Sequence, residues 1–377
     1  MKLNIMGDFV PIGRGCLTVT NRSAISEGIV SLIKDADYNI INLECPVVNS
    51  PDTKKIVKDG PNLKCTEEAV SYLKDCGIDM VTLANNHLKD YGSKGIQDTL
   101  ETCKKNGIEY VGAGMNLQEA RVPKVIQVGG YKVGIVNVCE NESSIAADCD
   151  PGSNPIDEIN NYYDICNIKE KADKIIIIIH GGSEHFHYPT PGIKKRCHFY
   201  ADLGVSAIVC HHTHCYSGYE VYHGVPIFYS LGNFFFDRKK RNSWLWNTGY
   251  LVQLRITNDK TDFRIYPYVQ CKDEAHVNLM DYEQEQLFSV NIDKINEIIK
   301  NDSALQAKYR EWLNKRYKDY ISRTITWGNK FFEVAYKRNL VPACISKNKA
   351  MLLLNYIKCE SHCDLMKLSL EKYINER

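Results

Sequence analysis

The chain has 377 residues, of which 44% are apolar, and its 47 Lys and Arg residues nearly balance its 46 Asp and Glu residues. This length allows one large domain or two ordinary ones, and the apolar share excludes a disordered chain. The net charge of +1 excludes a field over the whole protein that would attract nucleic acid or an anionic membrane. Most of the eleven histidines lie between residues 180 and 223: His180, His185, His187, His198, His211, His212, His214 and His223.

The cysteines and the apolar runs predict the compartment. The fifteen cysteines are odd in number and form no C-x-x-C motif, and several occupy apolar strand or helix patterns, so we interpret them as reduced thiols. The first residues lack the apolar core of a signal peptide, and no run approaches the roughly 20 apolar residues of a membrane span. The sequence therefore predicts a cytoplasmic protein with no membrane segment.

Up to about residue 270, short apolar strands alternate with helical patterns. This alternation predicts an α/β core with a mixed sheet or two stacked sheets. The predicted helices cover about 23–35, 66–76, 93–106 and 193–203. The predicted strands cover 2–6, 38–42, 80–83, 108–111, 125–128, 132–138, 174–179, 207–210, 219–222, 226–229, 250–256 and 263–269.

The pattern after about residue 280 is helical, with predicted helices over 282–300, 303–320, 324–338 and 346–375. We therefore predict an α/β domain over 1–275 and a helical C-terminal region over 276–377. Residues 301–377 hold 15 Lys and Arg against 8 Asp and Glu. Because these basic residues are dispersed among acids, a solvated extension that could bind a protein partner is favoured over a nucleic-acid surface.

Residues of the kinds that bind metals follow five of the predicted strands. Loops beyond the carboxyl ends of strands in an α/β sheet converge on one crevice, so these residues are expected to meet there. A single buried histidine is more often an ordinary core residue, but five coincident strand ends favour a shared site. The residues are Asp8, Glu44, Asn85, Asn86, His87, His180, His211, His212 and His214.

The donor types narrow the choice of metal. Mixed carboxylate, amide and imidazole donors suit divalent ions such as Mn²⁺, Zn²⁺ or Fe²⁺ rather than Ca²⁺, and the sequence lacks the cysteine cluster of a structural zinc site. Two ions about 3.5–4 Å apart, bridged by a carboxylate, would polarise a phosphoryl or carbonyl oxygen and activate water. The sequence therefore predicts one or two divalent metal ions.

Taken in chain order, the motifs resemble the CapA family, whose members are associated with poly-γ-glutamate capsule synthesis. This family is a branch of the calcineurin-like metallophosphoesterase superfamily. The resemblance covers about residues 1–240 and implies a four-layer α/β/β/α metallophosphatase-like sandwich with a two-metal centre between the sheets. It rests on Gly7-Asp8, Asn42-Leu43-Glu44, Ala84-Asn85-Asn86-His87 followed by Asp90, His180-x-Gly182-x-Glu184, His211-His212-x-His214 and Tyr229-Ser230-Leu231-Gly232-Asn233-Phe234.

The resemblance implies a ligand role for six of these residues, with Glu44 bridging the two metals. The first metal would be bound by Asp8, Glu44 and His214, and the second by Glu44, Asn86, His180 and His212.

Three further residues have implied catalytic roles. His87 would protonate a leaving group or stabilise the transition state, with Asp90 as its orienting partner. Phosphoesterases of the wider superfamily begin with Asp-x-His, whereas this chain has Asp8-Phe9-Val10 and is short of one ligand. Glu184 could compensate for that ligand or could instead hold a substrate amine.

Three residues are predicted to contact substrate. Arg14 stands between two glycines after the first strand, where it could contact an anionic substrate or simply form a turn. Asn85 and Asn233 belong to the motifs that surround the proposed ligands.

The leading functional hypothesis is a metal-dependent hydrolase of the CapA type that uses metal-activated water on a phosphorylated or γ-glutamyl substrate. Its binding partner would be a small anionic substrate or an anionic polymer. Two alternatives stay open: a non-catalytic accessory or scaffold subunit of polymer synthesis, and a nucleotide or nucleic-acid phosphoesterase, which rests only on superfamily analogy.

Overall fold

A computed structural model describes residues 1–58, 60–324, 340 and 346–376. Its strands are β1 Lys2–Val10, β2 Tyr38–Leu43, β3 Met80–Thr82, β4 Glu109–Val111, β5 Ala113–Gly114, β6 Lys124–Val128, β7 Tyr131–Cys139, β8 Gly152–Ser153, β9 Lys174–His180, β10 Ala207–His211, β11 Tyr219–Tyr222, β12 Val225–Phe228, β13 Asn233–Phe236, β14 Thr248–Ile256, β15 Thr261–Gln270 and β16 Val277–Leu279. Its helices are α1 Gly15–Thr20, α2 Glu27–Lys34, α3 Glu67–Cys76, α4 Gly92–Lys105, α5 Leu117–Ala120, α6 Glu158–Lys169, α7 Pro191–Asp202, α8 Trp244–Asn247, α9 Tyr282–Lys300, α10 Asp302–Thr324, α11 Lys347–Lys358 and α12 Glu360–Asn375, with a 3₁₀ turn at Lys239–Arg241.

Two mixed β-sheets form the centre of the fold. The first has the strand order β16-β15-β14-β1-β2-β3-β4, and β13 also pairs with β1. The second has the order β11-β12-β10-β9-β7-β6. Strands β1 to β4 run parallel in the first sheet, as do β7, β9, β10 and β12 in the second. Their carboxyl ends can therefore carry one shared site.

Alternation along the strands explains how the sheets are buried. In β1 and β2, Leu3, Ile5 and Ile40 join the core that contains the second sheet and helices α6 and α7. Their neighbours Ile41 and Leu43 face the other way, into the core formed with helices α2, α3 and α4. The predicted four-layer α/β/β/α arrangement is confirmed.

A bulge at Gly7 sets the direction of Asp8. The register with β2 shifts between Met6 and Asp8, so Gly7 is the extra residue. A Cβ atom at Gly7 would lie 2.0 Å from the carbonyl oxygen of Gly232, so glycine alone allows this close backbone approach. The bulge places Asp8 beside Asn42 of β2 and Asn233 of β13.

The structure differs from the sequence prediction at α6, where no helix was expected. In this helix Tyr163 and Ile159 are exposed, whereas Asn161 and Asp164 are buried. The apolar residues therefore lack the one-sided spacing that predicts a helix. The short strands β13 and β16 were also missed, because three or four residues are too few to show a period.

The C-terminal predictions are partly confirmed. Helix α9 spans the predicted 282–300, and α10 corresponds to the predicted 303–320. The prediction of one helix over 346–375 is wrong, because Cys359 has extended backbone angles and separates α11 from α12. We call this helix pair the C-terminal hairpin. The helix predicted over 324–338 lies, apart from residue 324, outside the described residues.

The helical region packs against the α/β core. Four apolar side chains of α9 join the core that contains both sheets, and strand β16 lies beyond the predicted boundary at residue 275. The division of the chain into two domains stays a prediction. The four side chains are Phe288, Ile292, Ile295 and Ile299.

The described helices were also compared with the requirements of a membrane span. Not one of them combines the length and apolarity needed to cross a bilayer. The described cysteines, fourteen in number, all carry free thiols.

We predict that Phe288→Ala destabilises the whole protein. The Phe288 ring is 1% exposed and lies 4.9 Å from the ring of Tyr216 and 5.9 Å from that of Tyr250. Removing it should lower the free energy of unfolding by about 3–5 kcal/mol, measured by urea denaturation. Leu287→Ala, at an exposed position, should change it by less than about 0.5 kcal/mol. A loss below about 1 kcal/mol for Phe288→Ala would contradict an integral role for α9.

Candidate metal centre

The structure brings the predicted metal ligands together where the two sheets meet. Asp8 lies near the end of β1, Glu44 follows β2, and Asn86 lies in the loop after β3. From the second sheet, His180 ends β9, while His212 and His214 follow β10. All six are buried.

Two groups of donors share Glu44. Asp8, Glu44 and His214 offer donor atoms within 4.8 Å of one another, and so do Glu44, His180 and His212. In the second group, His180 Nε2 lies 3.4 Å from Glu44 Oε1 and 3.1 Å from His212 Nδ1. Neither group includes Glu184. The family resemblance implies the same first set and adds Asn86 to the second, and the role of these residues as ligands stays a prediction.

Asn86 extends the second group. Its Oδ1 atom lies 3.0 Å from His180 Nε2, so amide, imidazole and carboxylate donors face a common point. The backbone also contributes to this convergence, since His212 and His214 have φ values of 94° and 55°. Such left-handed angles cost a histidine of the order of 1 kcal/mol, and strain of this kind concentrates at functional sites.

Several buried polar atoms of the centre lack hydrogen-bond partners, and this property bears on whether a metal ion fits there. Four buried atoms here have no hydrogen-bond partner among the described residues: Asp8 Oδ2, Glu44 Oε1, Glu44 Oε2 and His211 Nδ1. Buried polar atoms normally have a partner, and an uncompensated carboxylate is costly to bury. Carboxylate and imidazole donors that converge without partners suit a divalent cation, so the residues present fit the predicted metal.

Two asparagines orient the ligands. Asn42 Nδ2 donates to Asp8 Oδ1 at 2.7 Å and lies 3.2 Å from His180 Nδ1, so it joins the two sheets at the centre. Asn233 Oδ1 lies 3.0 Å from His214 Nδ1, and its amide donates to the backbone of His214 and Trp246. This geometry directs His214 Nε2 towards Glu44, at 3.8 Å from Oε1.

The electrostatics of the centre reflect burial and crowding. Burial raises the pKa of Glu44 to about 8. Burial would also raise the pKa of Asp8, but the interaction with His214 and the charges of His211 and His180 lower it overall. Burial opposes protonation of His214, yet the surrounding carboxylates, led by Glu44, raise its pKa to about 9.

His87 lies beside the second ligand group in a polar contact network. Its Nδ1 atom is 2.7 Å from Asp90 Oδ2, and Asp90 also accepts from the backbone N–H of Leu63 at 2.6 Å. Lys58 Nζ lies 3.2 Å from His87 Nδ1 and forms an ion pair with Asp90. Burial, followed by the charge of Lys58, lowers the pKa of His87.

Glu184 stands at the mouth of the centre rather than within either ligand group. Its side chain is 42% exposed, and Oε2 lies 3.5 Å from His185 Nε2. Burial alone would raise the pKa of Glu184, but the surrounding histidines lower it to about 2. In decreasing order of effect these are His214, His212, His185 and His362.

Arg14 and Asn85, predicted to contact substrate, have other partners in the structure. The Arg14 guanidinium pairs with Asp237 at 2.8 Å and donates to the backbone of Asp273 at 2.6 Å. Asn85 Nδ2 donates to the backbone of Leu43 at 2.9 Å, and its Oδ1 accepts from the backbone of His87. Both have the contacts expected of residues that fix loops, and their substrate roles stay predictions.

Sequence reasoning missed three residues of this region. His211 was noted without a role, although its Nδ1 atom lies 3.6 Å from Asp8 Oδ1. Asn42 belonged to a quoted motif but was given no function. Lys58 lies in a segment without helix or strand, 29 residues from His87, and no local pattern connects the two.

A family model described as bacterial capsule synthesis protein PGA_cap matches residues 2–238, which include every residue of the two ligand groups. The chain belongs to this family. The members most useful for comparison are the CapA proteins, and the resemblance inferred from the motifs is confirmed.

Two relatives carry the CapA name. The capsule biosynthesis protein CapA of Bacillus anthracis is 32% identical over 251 residues, covering 63% of this chain and 60% of that protein. The PGA biosynthesis protein CapA of Bacillus subtilis is 31% identical over 244 residues, covering 63% of this chain and 64% of that protein. The chain thus spans less than two thirds of the length of these relatives.

A shorter match and a solved structure complete the comparison. A probable polyglutamine synthesis accessory protein of Mycobacterium tuberculosis is 30% identical over 166 residues, covering 40% of this chain and 43% of that protein. A putative 5'-nucleotidase from Staphylococcus aureus overlaps 79% of this chain and 58% of that chain, with 15% identity and a TM-score of 0.43.

The C-terminal hairpin reaches this family site although it lies outside the matched residues. Glu140 connects the two, because its Oε1 atom accepts from the backbone of Gly182 at 2.9 Å and from Ser361 Oγ at 2.5 Å. Its Oε2 atom accepts from Cys359 Sγ at 3.2 Å. The loop after His180 is thereby tied to the turn of the hairpin.

We predict that Glu140→Ala loosens both the hairpin and this loop. Three buried donors would lose their acceptor, so the free energy of unfolding should fall by about 3 kcal/mol. Hydrogen–deuterium exchange should increase at residues 359–363 and around Gly182. Glu170→Ala, an exposed change at the end of α6, should leave exchange unaltered. Unchanged exchange in Glu140→Ala at both places would contradict the connection.

Proposed function

We propose that this CapA-family protein is a metal-dependent hydrolase that acts on a phosphorylated or γ-glutamyl anionic substrate in capsule polymer synthesis. One observation carries the proposal: two groups of buried donors share Glu44, and four of the buried polar atoms there have no partner among the described residues. His87 lies beside these groups with a carboxylate and an ammonium group in contact.

The ligands would be arranged in two sets. Asp8, Glu44 and His214 would hold the first ion, and Glu44, Asn86, His180 and His212 the second. Bound divalent ions would supply Lewis-acid polarisation of a phosphoryl or carbonyl oxygen and a lowered pKa of water.

We infer that His211 adds a donor to the first set. The chain lacks the histidine of the Asp-x-His motif, and Val10 occupies that position. His211 Nδ1 is buried, faces Asp8 and has no hydrogen-bond partner among the described residues. It therefore compensates for the missing histidine better than Glu184, whose side chain is partly exposed.

Residues of the chain would transfer the proton, attract the substrate and position the ligands. Asp90 fixes the ring of His87 through Nδ1, so Nε2 is the atom left to protonate a leaving oxygen or nitrogen. Lys58 places a positive charge next to this ring, where it would attract an anionic substrate. Asn42 and Asn233 hold the ligand side chains in position before substrate binds.

Metal content is the first prediction. Protein loaded with Mn²⁺ or Zn²⁺ and then desalted should retain one or two ions per chain, measured by inductively coupled plasma mass spectrometry. Asp8→Ala and His180→Ala should each lower the content, and the double variant should retain almost none. His211→Phe should weaken binding about tenfold or more and alter the absorption spectrum of the Co²⁺-loaded protein.

His198→Ala is the matched control for these variants. His198 pairs with Glu220 at 2.8 Å and belongs to neither ligand group, so its loss should leave the metal content unchanged. Wild-type protein that binds no divalent ion after loading, or an Asp8→Ala/His180→Ala variant with normal content, would refute the metal centre.

Turnover is the second prediction. With phosphomonoester, phosphodiester and γ-glutamyl anilide substrates, His87→Ala should lower kcat by about 10²–10⁴-fold at unchanged metal content, because it removes the proton donor. Lys58→Gln should mainly raise KM. If His87→Ala retains the wild-type kcat, the proton-donor role is wrong.

An accessory role is the second candidate function. The M. tuberculosis relative is named as an accessory protein, and the C-terminal hairpin exposes Leu354 and Ile357, which could contact a protein partner. Wild-type protein that holds its metal but hydrolyses none of the three substrate classes would favour this function over hydrolysis.

A further inference from the structure

A cleft beside the predicted ligand His214 is lined by Lys240 and Arg241, which belong to a run of four basic residues. It has a volume of about 320 Å³, and its lining includes His214, His185, Trp246 and Arg241. The run, Arg238-Lys239-Lys240-Arg241, directly follows Asp237 and includes the 3₁₀ turn. We call these four residues the basic rim.

The two arginines of the basic rim are held by aromatic rings that contact a predicted ligand. The Arg238 guanidinium lies 4.8 Å from the centroid of the Phe236 ring, and that of Arg241 lies 5.6 Å from the centroid of Trp246. Both rings in turn lie 5.3 Å from the ring of His214. The stacking positions both guanidinium groups next to the centre, Arg238 half-buried and Arg241 exposed.

The charge of Arg238 is not neutralised by its sequence neighbour. Asp237 is engaged by Arg14, through two hydrogen bonds from the guanidinium to Oδ1 and a further one from the backbone N–H. Among the described residues, Arg238 has no hydrogen-bonded or ion-pair partner for its guanidinium, although the residue is partly buried. A partly buried guanidinium without a carboxylate is an incomplete oxyanion site.

The remaining rim residues add positive charge. Arg241 is exposed and contacts the His185 imidazole. Lys239 and Lys240 are exposed. Glu184 and Glu44 are the carboxylates whose charges act on Arg238, and the rim itself carries four basic side chains.

We propose that the basic rim binds a second anionic group of the substrate while the first lies at the metal centre. The ligand is a carboxylate or phosphate oxyanion, recognised by the planar forks of Arg238 and Arg241. The inference rests on the proposed function and makes it more specific, because it selects substrates with several anionic groups, such as an acidic oligomer, over those with one.

The test compares binding of three probes to the full-length, Mn²⁺-loaded protein by isothermal titration calorimetry. γ-Linked tri-glutamate and tripolyphosphate each carry several anionic groups, whereas orthophosphate carries its charge on one. Arg238→Gln/Arg241→Gln should lower the affinity for at least one multivalent probe about tenfold or more. The same variant should lower the affinity for orthophosphate less than about twofold. The multivalent probe that wild-type protein binds more tightly identifies the oxyanion as carboxylate or phosphate.

Two variants act as controls. Arg264 is stacked on Tyr266 at 4.8 Å, as Arg238 is stacked on Phe236, but it lies on strand β15, opposite Gln253 of β14. Arg264→Gln should leave all three affinities unchanged. Arg238→Lys/Arg241→Lys keeps the charge but loses the fork, so the affinity for the multivalent probe should fall between wild type and the glutamine variant.

The proposal fails if the glutamine variant, with normal metal content, binds both multivalent probes as tightly as wild type. It also fails if Arg264→Gln weakens them equally. A separate measurement keeps this outcome distinct from failure of the proposed function. His87→Ala should keep its rim-dependent affinity for the multivalent probe even though turnover is lost, because the rim does not require the proton donor.

Discussion

The arrangement of this protein depends on the burial of Glu44 between two sheets. A carboxylate without hydrogen-bond partners is expensive in a dry interior, and Asp8 places a second carboxylate close by. The histidines that surround them cannot satisfy both acids, since burial disfavours a charge on most of these rings. A divalent cation would neutralise the two buried carboxylates. In our proposal, the burial that makes these carboxylates unfavourable by themselves is therefore the reason why the centre binds metal.

The fold provides the rigidity that such a centre needs. Asp8, Asn42 and Asn233 occupy neighbouring register positions on three parallel strands, and His180 pairs with His211 across the second sheet. The bulge at Gly7 turns Asp8 towards this point and requires close contact with Gly232. Because Asn42 contacts both Asp8 and His180, the distance between the sheets is fixed at the site itself.

Elements outside the family match complete the surroundings of the centre. The C-terminal hairpin borders a cavity of about 210 Å³ next to Lys58 and Glu142, and Glu140 ties its turn to the loop after His180. Residues 239–241 of the basic rim follow the matched region, and Lys240 and Arg241 line the cleft that also contains His214. The metal centre that we propose would thus be bordered by residues that lie outside the family match.

The sequence by itself determined the α/β class and most strand positions, and ligand-type residues after the strands formed a local pattern from which the family resemblance selected six candidate ligands. The sequence could not predict α6, because its exposed tyrosines disrupt the one-sided apolar spacing of a helix. It also could not predict the break at Cys359, because no glycine or proline occurs there. Only the tertiary structure brought Lys58 to His87, His211 to Asp8 and Glu140 to Ser361. These contacts join residues from separate elements, and the packing of the sheets and helices, rather than any local spacing, decides which of them meet.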